Sequence, residues 1–437
     1  VSVVTGRVEN ATAFAGSGGP YKDSEGIILN PDAIGFSLVG LDVTYITMTE
    51  VGGNGRVWQA VQATADSAEI VGFDGFTLAG NTISVEMNIA DNDDDDGKVV
   101  DFSNAATTVG GTLDYATEIL QVSGNALLDI DGFVQVSGGF AFSKSAADLT
   151  VTLDDDEAST VDHVRVTTFG FSDVNVFIGA GPYFIDSNGD QVIDGSDEPS
   201  EDAAGVLLKN ANLALAYFAP TTGTAKYYAV SATAKLIELP GLDLGSADSF
   251  MGRGYRLELN SGNAAAGGRV VDFTKTYDDS ATDLVDGSLN VKTGPTESVD
   301  FEYTTALELV AIEQLNLSIG DYIYLSGSFS FTRQEAMTVS LSGPVTSTRE
   351  VDAYAFGAGN VDLFVGSGPY FVDSNDDDYI DELDERDPDA IGLAMENVNF
   401  GLLLMKPTTD NTTKYIALKA TADRVAFVGI DDFKLSA

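Results

Sequence analysis

The chain repeats itself, and this internal similarity restricts its fold more than any other feature. The ten residues from Gly179 to Asn188, GAGPYFIDSN, return as GSGPYFVDSN from Gly366 to Asn375. A shorter first copy, GSGGPY, begins at Gly16. Similarity at a fixed spacing is typical of structural units that stack on their neighbours. The sequence therefore predicts tandem copies of one unit.

Further matches set the bounds of these units. The tetrapeptide VVDF at Val99 recurs at Val270, and the segment from Phe133 recurs from Tyr322. The first offset is the shorter by about 18 residues, which we expect in a surface loop within residues 274–300. The third copy stops where the first continues, so we expect the chain to be part of a longer protein. The predicted units are residues 1–160, residues 161–350 and a partial copy, residues 351–437.

The local pattern is that of strands. Segments such as LTVTL at 149–153 and YIALKAT at 415–421 are rich in β-branched residues and are bounded by Gly, Asn and Asp. No helical stripe exceeds about three turns, so the fold class is predicted to be all-β. Many inward positions are Ala, Ser or Gly, which favours an elongated β-solenoid or β-groove. The alternative is a string of β-sandwiches of roughly 90 residues each.

Composition excludes several classes of function. There are 68 acidic and 22 basic residues, for a net charge of −46, so the chain repels nucleic acids and anionic membranes and attracts cations. Without cysteine and with His163 as its one histidine, it offers no thiol nucleophile and no Cys/His zinc site. No apolar run approaches the 18 residues of a membrane span. No carboxylate pair stands out, and we expect no enzyme activity.

A ladder of oxygen ligands follows the GPYF turn in the second and third copies. Its positions 1, 3, 5, 7, 9 and 12 are Asp186, Asn188, Asp190, Val192, Asp194 and Asp197 in one copy, and Asp373, Asn375, Asp377, Tyr379, Asp381 and Asp384 in the other. Ca²⁺ takes six to eight hard oxygen ligands, and position 7 supplies its backbone carbonyl. An isoleucine at position 8 in each copy is expected to anchor the loop. Two calcium sites are predicted.

These ladders resemble the calcium loops of dockerin domains and, more distantly, of EF-hands. The resemblance covers about 12 residues per copy and implies a metal loop, not the flanking helices. Position 6, where those families have glycine, is Gln191 in one copy and Asp378 in the other. In the first copy the sequence KDSEG, from Lys22 to Gly26, replaces the ladder, so that copy is expected to lack the site.

Other acidic clusters carry weaker signals. Asp91–Asp96 and Asp154–Glu157 are interpreted as solvated turns, because the corresponding segments of the other copies are not acidic. Four carboxylates just after the ladders could complete them or bind a second ion: Glu201, Asp202, Asp387 and Asp389.

Tandem copying lengthens a rod, whereas catalysis needs one unique site. In this arrangement the chain resembles the large tandem-repeat adhesins and surface proteins of bacteria and archaea. That resemblance implies a calcium-stabilised structural or adhesive region, extracellular or on the cell surface, whose partners are calcium, neighbouring repeats or identical subunits. The alternative is a calcium-dependent carbohydrate- or protein-binding module. Its candidate stacking faces are Trp58, Tyr21, Tyr183, Tyr228 and Tyr370.

Overall fold

The fold is almost entirely β. The structure, a computed structural model, describes residues 1–429 except residues 24, 53–54, 73–75, 92–97, 105–112, 146–148, 156–158, 186, 188–196, 201, 242–248, 278–286, 320–321, 343–346, 369, 373, 375–384 and 411. Strands account for 72% of the residues and helices for 2%. The predicted all-β class is confirmed.

Twenty-three strands lie in the described part of the chain. In the first half they are β1 (Ser2–Ser17), β2 (Ile34–Thr49), β3 (Val57–Val71), β4 (Phe76–Asp91), β5 (Ile119–Ile130), β6 (Val134–Ser145), β7 (Leu149–Thr152), β8 (Thr160–Ala180), β9 (Phe184–Ile185), β10 (Glu198–Pro199), β11 (Ala204–Pro220) and β12 (Tyr227–Glu238). The rest are β13 (Ser249–Gly262), β14 (Leu289–Lys292), β15 (Ser298–Phe301), β16 (Leu307–Ile319), β17 (Ile323–Leu341), β18 (Ser347–Ser367), β19 (Phe371–Val372), β20 (Glu385–Arg386), β21 (Ile391–Pro407), β22 (Tyr415–Thr421) and β23 (Arg424–Val428). A 3-10 helix (Ala264–Ala266) and the one-turn helix α1 (Phe273–Thr276) lie between β13 and β14.

Seventeen of these strands belong to one large antiparallel sheet that is not closed. From β1 to β6 each strand pairs with the next, and β6 then pairs with β8. The same succession returns as β16, β17, β18 and β21, with β22 and β23 both pairing with β21. Consecutive hairpins of this kind need no crossover, which fits the short turns of the sequence.

The long strands bend at one recurring position. Asn10, Asp173 and Asn360 occupy the same place in β1, β8 and β18, and each has a positive φ of 47–51°. Asn and Asp adopt this conformation more readily than other non-glycine residues. Asp42, Asn212 and Asn399 on the neighbouring strands accept the freed N–H groups at 2.8, 3.0 and 3.1 Å. The repeat is therefore also a repeat of backbone geometry.

A cap segment covers one face of the strands in two of the copies. The buried Asn88 Nδ2 donates to the carbonyls of Val100 and Thr117 at 2.9 and 3.0 Å. The buried Asn260 Nδ2 donates in the same way to Val271 and Thr305, at 3.0 Å each. The second cap is longer between its two fixed points, and α1 and the β14–β15 hairpin lie in this stretch. The extra length lies within residues 274–300 as expected, but it is not a surface loop, because the hairpin contributes the buried Val291 and Phe301 to the core.

Three apolar clusters form the core. The first joins β7, β8, β11 and β12 to the longer cap, with Phe273 fully buried among Phe218, Phe301 and Tyr303. The second packs Phe102, Leu113 and Tyr115 of the shorter cap on β2 and β3. The third gathers Phe364, Tyr370, Phe371, Ala390 and Ala394 around the last GPYF turn.

The chain divides into two compact units. One comprises residues 1–203, 210–231 and 260–305, and the other residues 204–209, 232–259 and 306–437. These units follow spatial contacts and not the sequence copies, so the proposed repeat bounds stay a prediction. None of the helices within the described residues is long and apolar enough to cross a membrane.

Candidate metal-binding loops

The same turn occurs at the end of β1, β8 and β18. A buried tyrosine packs against a phenylalanine of the preceding strand; the pairs are Phe14–Tyr21, Phe177–Tyr183 and Phe364–Tyr370, with ring centroids 6.3, 5.4 and 5.2 Å apart. The carbonyl of each tyrosine accepts an N–H further along, from Leu29, Ser200 and Asp387, at 2.7, 2.7 and 2.9 Å. The turn is thus a rigid anchor that joins the following loop to the sheet.

Pairs of two-residue antiparallel strands close the loops of the second and third copies. Ile185 pairs with Glu198 in β9–β10, and Val372 pairs with Glu385 in β19–β20. Each strand pair encloses 12 residues, 186–197 in one copy and 373–384 in the other. Paired antiparallel residues have Cα atoms about 5 Å apart. The residues that flank each predicted calcium loop, Ile185 with Glu198 and Val372 with Glu385, therefore lie next to each other.

Only one of the twelve predicted ligands lies among the described residues. Asp197, at position 12, accepts hydrogen bonds on Oδ1 from the backbone N and the Oγ of Ser187, at 3.0 and 3.3 Å. The side chain at the end of the loop thus reaches back to its beginning. The other eleven, Asp186, Asn188, Asp190, Val192, Asp194, Asp373, Asn375, Asp377, Tyr379, Asp381 and Asp384, lie outside the described residues.

The first copy differs in the manner that its sequence suggests. Asp23 Oδ1 accepts from the backbone N of Glu25 and of Ile27, both at 2.9 Å, so its carboxylate closes a short turn. Lys22 Nζ lies 2.5 Å from a carboxylate oxygen of Glu69, and both side chains are almost completely buried. A protein cation therefore compensates the buried acid at this turn.

Ionic groups also support the last turn. Glu396 accepts from the hydroxyl of Tyr370 at 2.9 Å and forms ion pairs with Arg386, at 2.8 Å, and with Arg424. Burial pushes the pKa of Glu396 upward, but the hydrogen bonds from Tyr370 and Arg424 outweigh it and hold the pKa below the ordinary value. Burial, with the hydrogen bond to Glu396, raises the pKa of the Tyr370 hydroxyl. Both groups stay in their usual charge states at neutral pH.

Two of the acidic residues outside the predicted calcium loops accept hydrogen bonds from protein groups. Asp154 Oδ1 accepts from the backbone N of Val270 at 3.0 Å. Asp155 accepts from the N and Oγ of Ser159 at 2.7 and 2.6 Å, and these hydrogen bonds, with Arg269 nearby, lower its pKa. These two carboxylates tie a strand end to the longer cap and are more than a solvated turn.

The remaining acidic clusters have few contacts among the described residues. Asp387 Oδ1 accepts from the backbone N of Asp389 at 2.8 Å, a local turn contact. Glu201, Asp156–Glu157 and nearly all of the Asp91–Asp96 run lie outside the described residues, and no contact is recorded for Asp202. Among the residues that the structure does describe, no group of three or more His, Asp or Glu side chains is arranged to hold a metal.

Most of the aromatic side chains considered for ligand stacking are buried or packed within the fold. The rings of Tyr21, Tyr183 and Tyr370 are only 8%, 7% and 3% exposed. Trp58 packs against the shorter cap, and its Nε1 donates to the carbonyl of Lys98 at 3.2 Å. His163 lies at a bend of β8, where its carbonyl accepts from the backbone N of Thr221. The side chains of Trp58 and the three tyrosines serve the fold, whereas the side chain of His163 is exposed.

Comparisons with protein-family models, with curated proteins and with solved structures found no match. The geometry of the turns and loops is therefore the basis for the proposal of function.

Proposed function

We propose that the chain is a calcium-stabilised structural or adhesive repeat region of a secreted or cell-surface protein. The observation that carries the proposal is the two short strand pairs, β9–β10 and β19–β20. Each closes a 12-residue acidic loop, and each follows the same tyrosine turn. A 12-residue loop whose flanking residues are paired begins and ends at the same place, as a loop that wraps one ion must.

Electrostatics explains why a cation is needed. Each loop has four aspartates at ligand positions, and two carboxylates 4 Å apart repel by about 1 kcal/mol even in water. A metal at about 100 times its dissociation constant would add roughly 2.7 kcal/mol to stability. Glu69 and Glu396, the buried acids beside the first and third tyrosine turns, have lysine or arginine partners instead.

For the architecture we favour an elongated β-solenoid or β-groove over a string of β-sandwiches. The positive φ at Asn10, Asp173 and Asn360 and the two equivalent caps recur with the sequence copies. A solenoid is built by stacking units that repeat in this way. The proposed partners are calcium ions and neighbouring repeats or identical subunits, and we propose no catalytic role.

The alternative, a calcium-dependent carbohydrate- or protein-binding module, draws little support from the site. Three of its four candidate tyrosine faces, Tyr21, Tyr183 and Tyr370, are buried. A ligand ring could not stack on them without opening the turns.

Calcium titration of the full chain tests the proposal. Calorimetry of the EDTA-treated chain should show two sites, and calcium should raise the melting temperature measured by circular dichroism. Asp190→Asn with Asp377→Asn should remove both effects. As a control, Asp93→Asn with Asp95→Asn removes the same charge from an acidic run that lacks the later ligand positions, since positions 9 and 12 counted from Asp91 are Val99 and Phe102. Absence of calcium binding to the unmodified chain, or its survival in the Asp190/Asp377 variant, would refute the proposed sites.

A further inference from the structure

One face of the sheet in the first compact unit carries an unbroken row of apolar side chains. Seven strands, β1 to β6 and β8, each contribute one residue, and each residue is directly paired with the next. Directly paired residues of antiparallel strands point to the same face of the sheet. This outer row consists of Val8, Val43, Ala63, Val85, Val122, Phe142 and Phe169.

The face that contains the outer row has no carboxylate in its two central rows. The second of these rows lies two residues along each strand, from the pair Gly6↔Tyr45 to the pair Lys144↔Thr167. Neither row contains Asp or Glu, although 68 of the 437 residues of the chain are acidic. Lys144 is the one charged residue in the two rows. The face therefore differs in charge from the chain as a whole.

The outer row faces solvent. Phe169 is 43% exposed, and none of the seven residues is buried. The shorter cap packs on the opposite face, against Ile46 and Ala60, and the longer cap packs on the opposite face of β8, against Val164 and Val166. Each strand from β2 to β6 pairs on both sides, so the openness of this face does not depend on which strand comes first.

The second compact unit has a row of the same kind. Five directly paired residues cross β16, β17, β18, β21 and β22, and none of them is buried. They are Val310, Phe331, Phe356, Leu402 and Leu418. An open apolar row that returns with the strand pattern belongs to the repeat and not to one irregular site.

We propose that the outer-row face is an interface between copies of this chain, in which the faces of two molecules pack against each other. Two sheets stack about 10 Å apart, and their inner side chains interdigitate. Small side chains at Gly6 and Ala63 leave space for large ones such as Phe142 and Phe169. Two molecules of net charge −46 repel each other. On this face they can meet without burying a carboxylate, which would cost several kcal/mol per group.

The face is large enough for such an interface. Seven uncharged residues flank the two central rows: four paired residues from Val4 in β1 to Ile89 in β4, and three from Gly124 in β5 to Phe171 in β8. Each residue occupies about 33 Å² of a sheet face, given strands about 4.8 Å apart and same-face residues about 6.8 Å apart. The whole face then measures about 700 Å², and two copies would bury about 1,400 Å², the size of a standard stable interface.

Sedimentation velocity of the full chain at fixed calcium tests the proposal through its salt dependence. Raising NaCl from about 0.1 to 1 M shortens the screening length from about 10 to about 3 Å. Repulsion between the acidic molecules falls, whereas the apolar contact persists, so the dimer fraction should rise with salt. An interface held by ion pairs would show the opposite trend. A chain that stays monomeric at all salt concentrations, or that dissociates as salt rises, would overturn the proposal.

A pair of matched variants locates the interface. Phe169→Asp places a carboxylate in the outer row of both molecules and should raise the dissociation constant at least about tenfold. Phe133→Asp makes the same change at the tip of the β5–β6 hairpin, where the phenylalanine is 55% exposed, and should leave association unchanged. Thermal melts check that both variants fold. Equal effects of the two changes would show that the copies associate elsewhere and would refute the outer-row interface.

Thiol accessibility gives an independent test, because the chain contains no cysteine. Val122→Cys places a thiol in the middle of the face, and Val51→Cys places one in the turn between β2 and β3. As the protein concentration rises into the dimer range, the reaction of a thiol reagent should slow for Val122→Cys but not for Val51→Cys. Equal rates throughout would contradict the interface. Cosedimentation of a monomeric chain with phosphatidylcholine vesicles would assign the face to lipid and would also overturn the proposal.

This inference rests on the identical-subunit partners of the proposed function and not on calcium. Loss of association in Phe169→Asp with an intact calcium response supports the interface whatever the loops bind. A chain that binds calcium at two sites but never dimerises refutes only the interface, and a chain that dimerises without binding calcium refutes only the metal loops.

Discussion

The amide of Asn88 is expected to hold the shorter cap on the sheet. Asn88→Ala removes two hydrogen bonds, to Val100 and Thr117. Each contributes about 1 kcal/mol net, so the unfolding free energy should fall by about 2 kcal/mol. Asn88→Asp keeps the size of the side chain but places a buried carboxylate against two carbonyls, and it should cost more.

The single tryptophan reports on this cap. Trp58 packs with the same cluster, so its fluorescence in a urea titration follows the opening of the cap. With a slope of about 2 kcal/mol/M, the midpoint should fall by about 1 M. Asn290→Ala is the control, since the amide of Asn290 makes exposed contacts only. If Asn88→Ala shifts the midpoint no further than Asn290→Ala does, the amide does not hold the cap.

Two further predictions concern the later copies. Gly327→Ala should destabilise the fold by about 1–3 kcal/mol, because the new Cβ would lie 2.9 Å from the Val361 Cα and φ is +146°, whereas Gly401→Ala, with open space around it, should be neutral in thermal melts. The pKa of Glu396 is lowered in the folded state, so its contribution to stability is complete above its unfolded pKa and is lost as the pH falls through the lower folded value. Melts from pH 6 to pH 3 should show this loss, and in Glu396→Gln the loss should be smaller; an identical pH profile would contradict the assignment.

The repeats and the strand class could be read from the sequence because both leave local patterns. The GPYF turns, the VVDF segments and the extra length within residues 274–300 correspond to equivalent contacts in the structure. Where the first copy lacks the ligand ladder, Lys22 pairs with Glu69 and Asp23 closes a short turn. Asp197 is the one ladder position with described contacts.

The bends and the cap amides were not predicted. Asn10, Asp173 and Asn360 have a positive φ in mid-strand, for which a recurring Asn or Asp is a sequence signal. Asn88 and Asn260 gave no signal, because their partners lie in a cap whose fold depends on tertiary packing. Asp154 and Asp155 were interpreted as a solvated turn. Their contacts could not be predicted, because the partners Val270 and Arg269 are more than a hundred residues away.

The three turns show how one scaffold can accommodate different electrostatics. In the first copy a lysine next to the tyrosine compensates the buried Glu69, and in the third two arginines compensate Glu396. Both solutions use side chains beneath the turn. The aspartates of the two ladders lie in loops whose sequences contain no lysine or arginine from 186 to 197 or from 373 to 384. Under the proposed function, their charge is balanced by bound calcium. The tyrosine turn itself forms in the first copy without the ligand ladder, so the fold of the turn does not depend on the proposed metal site.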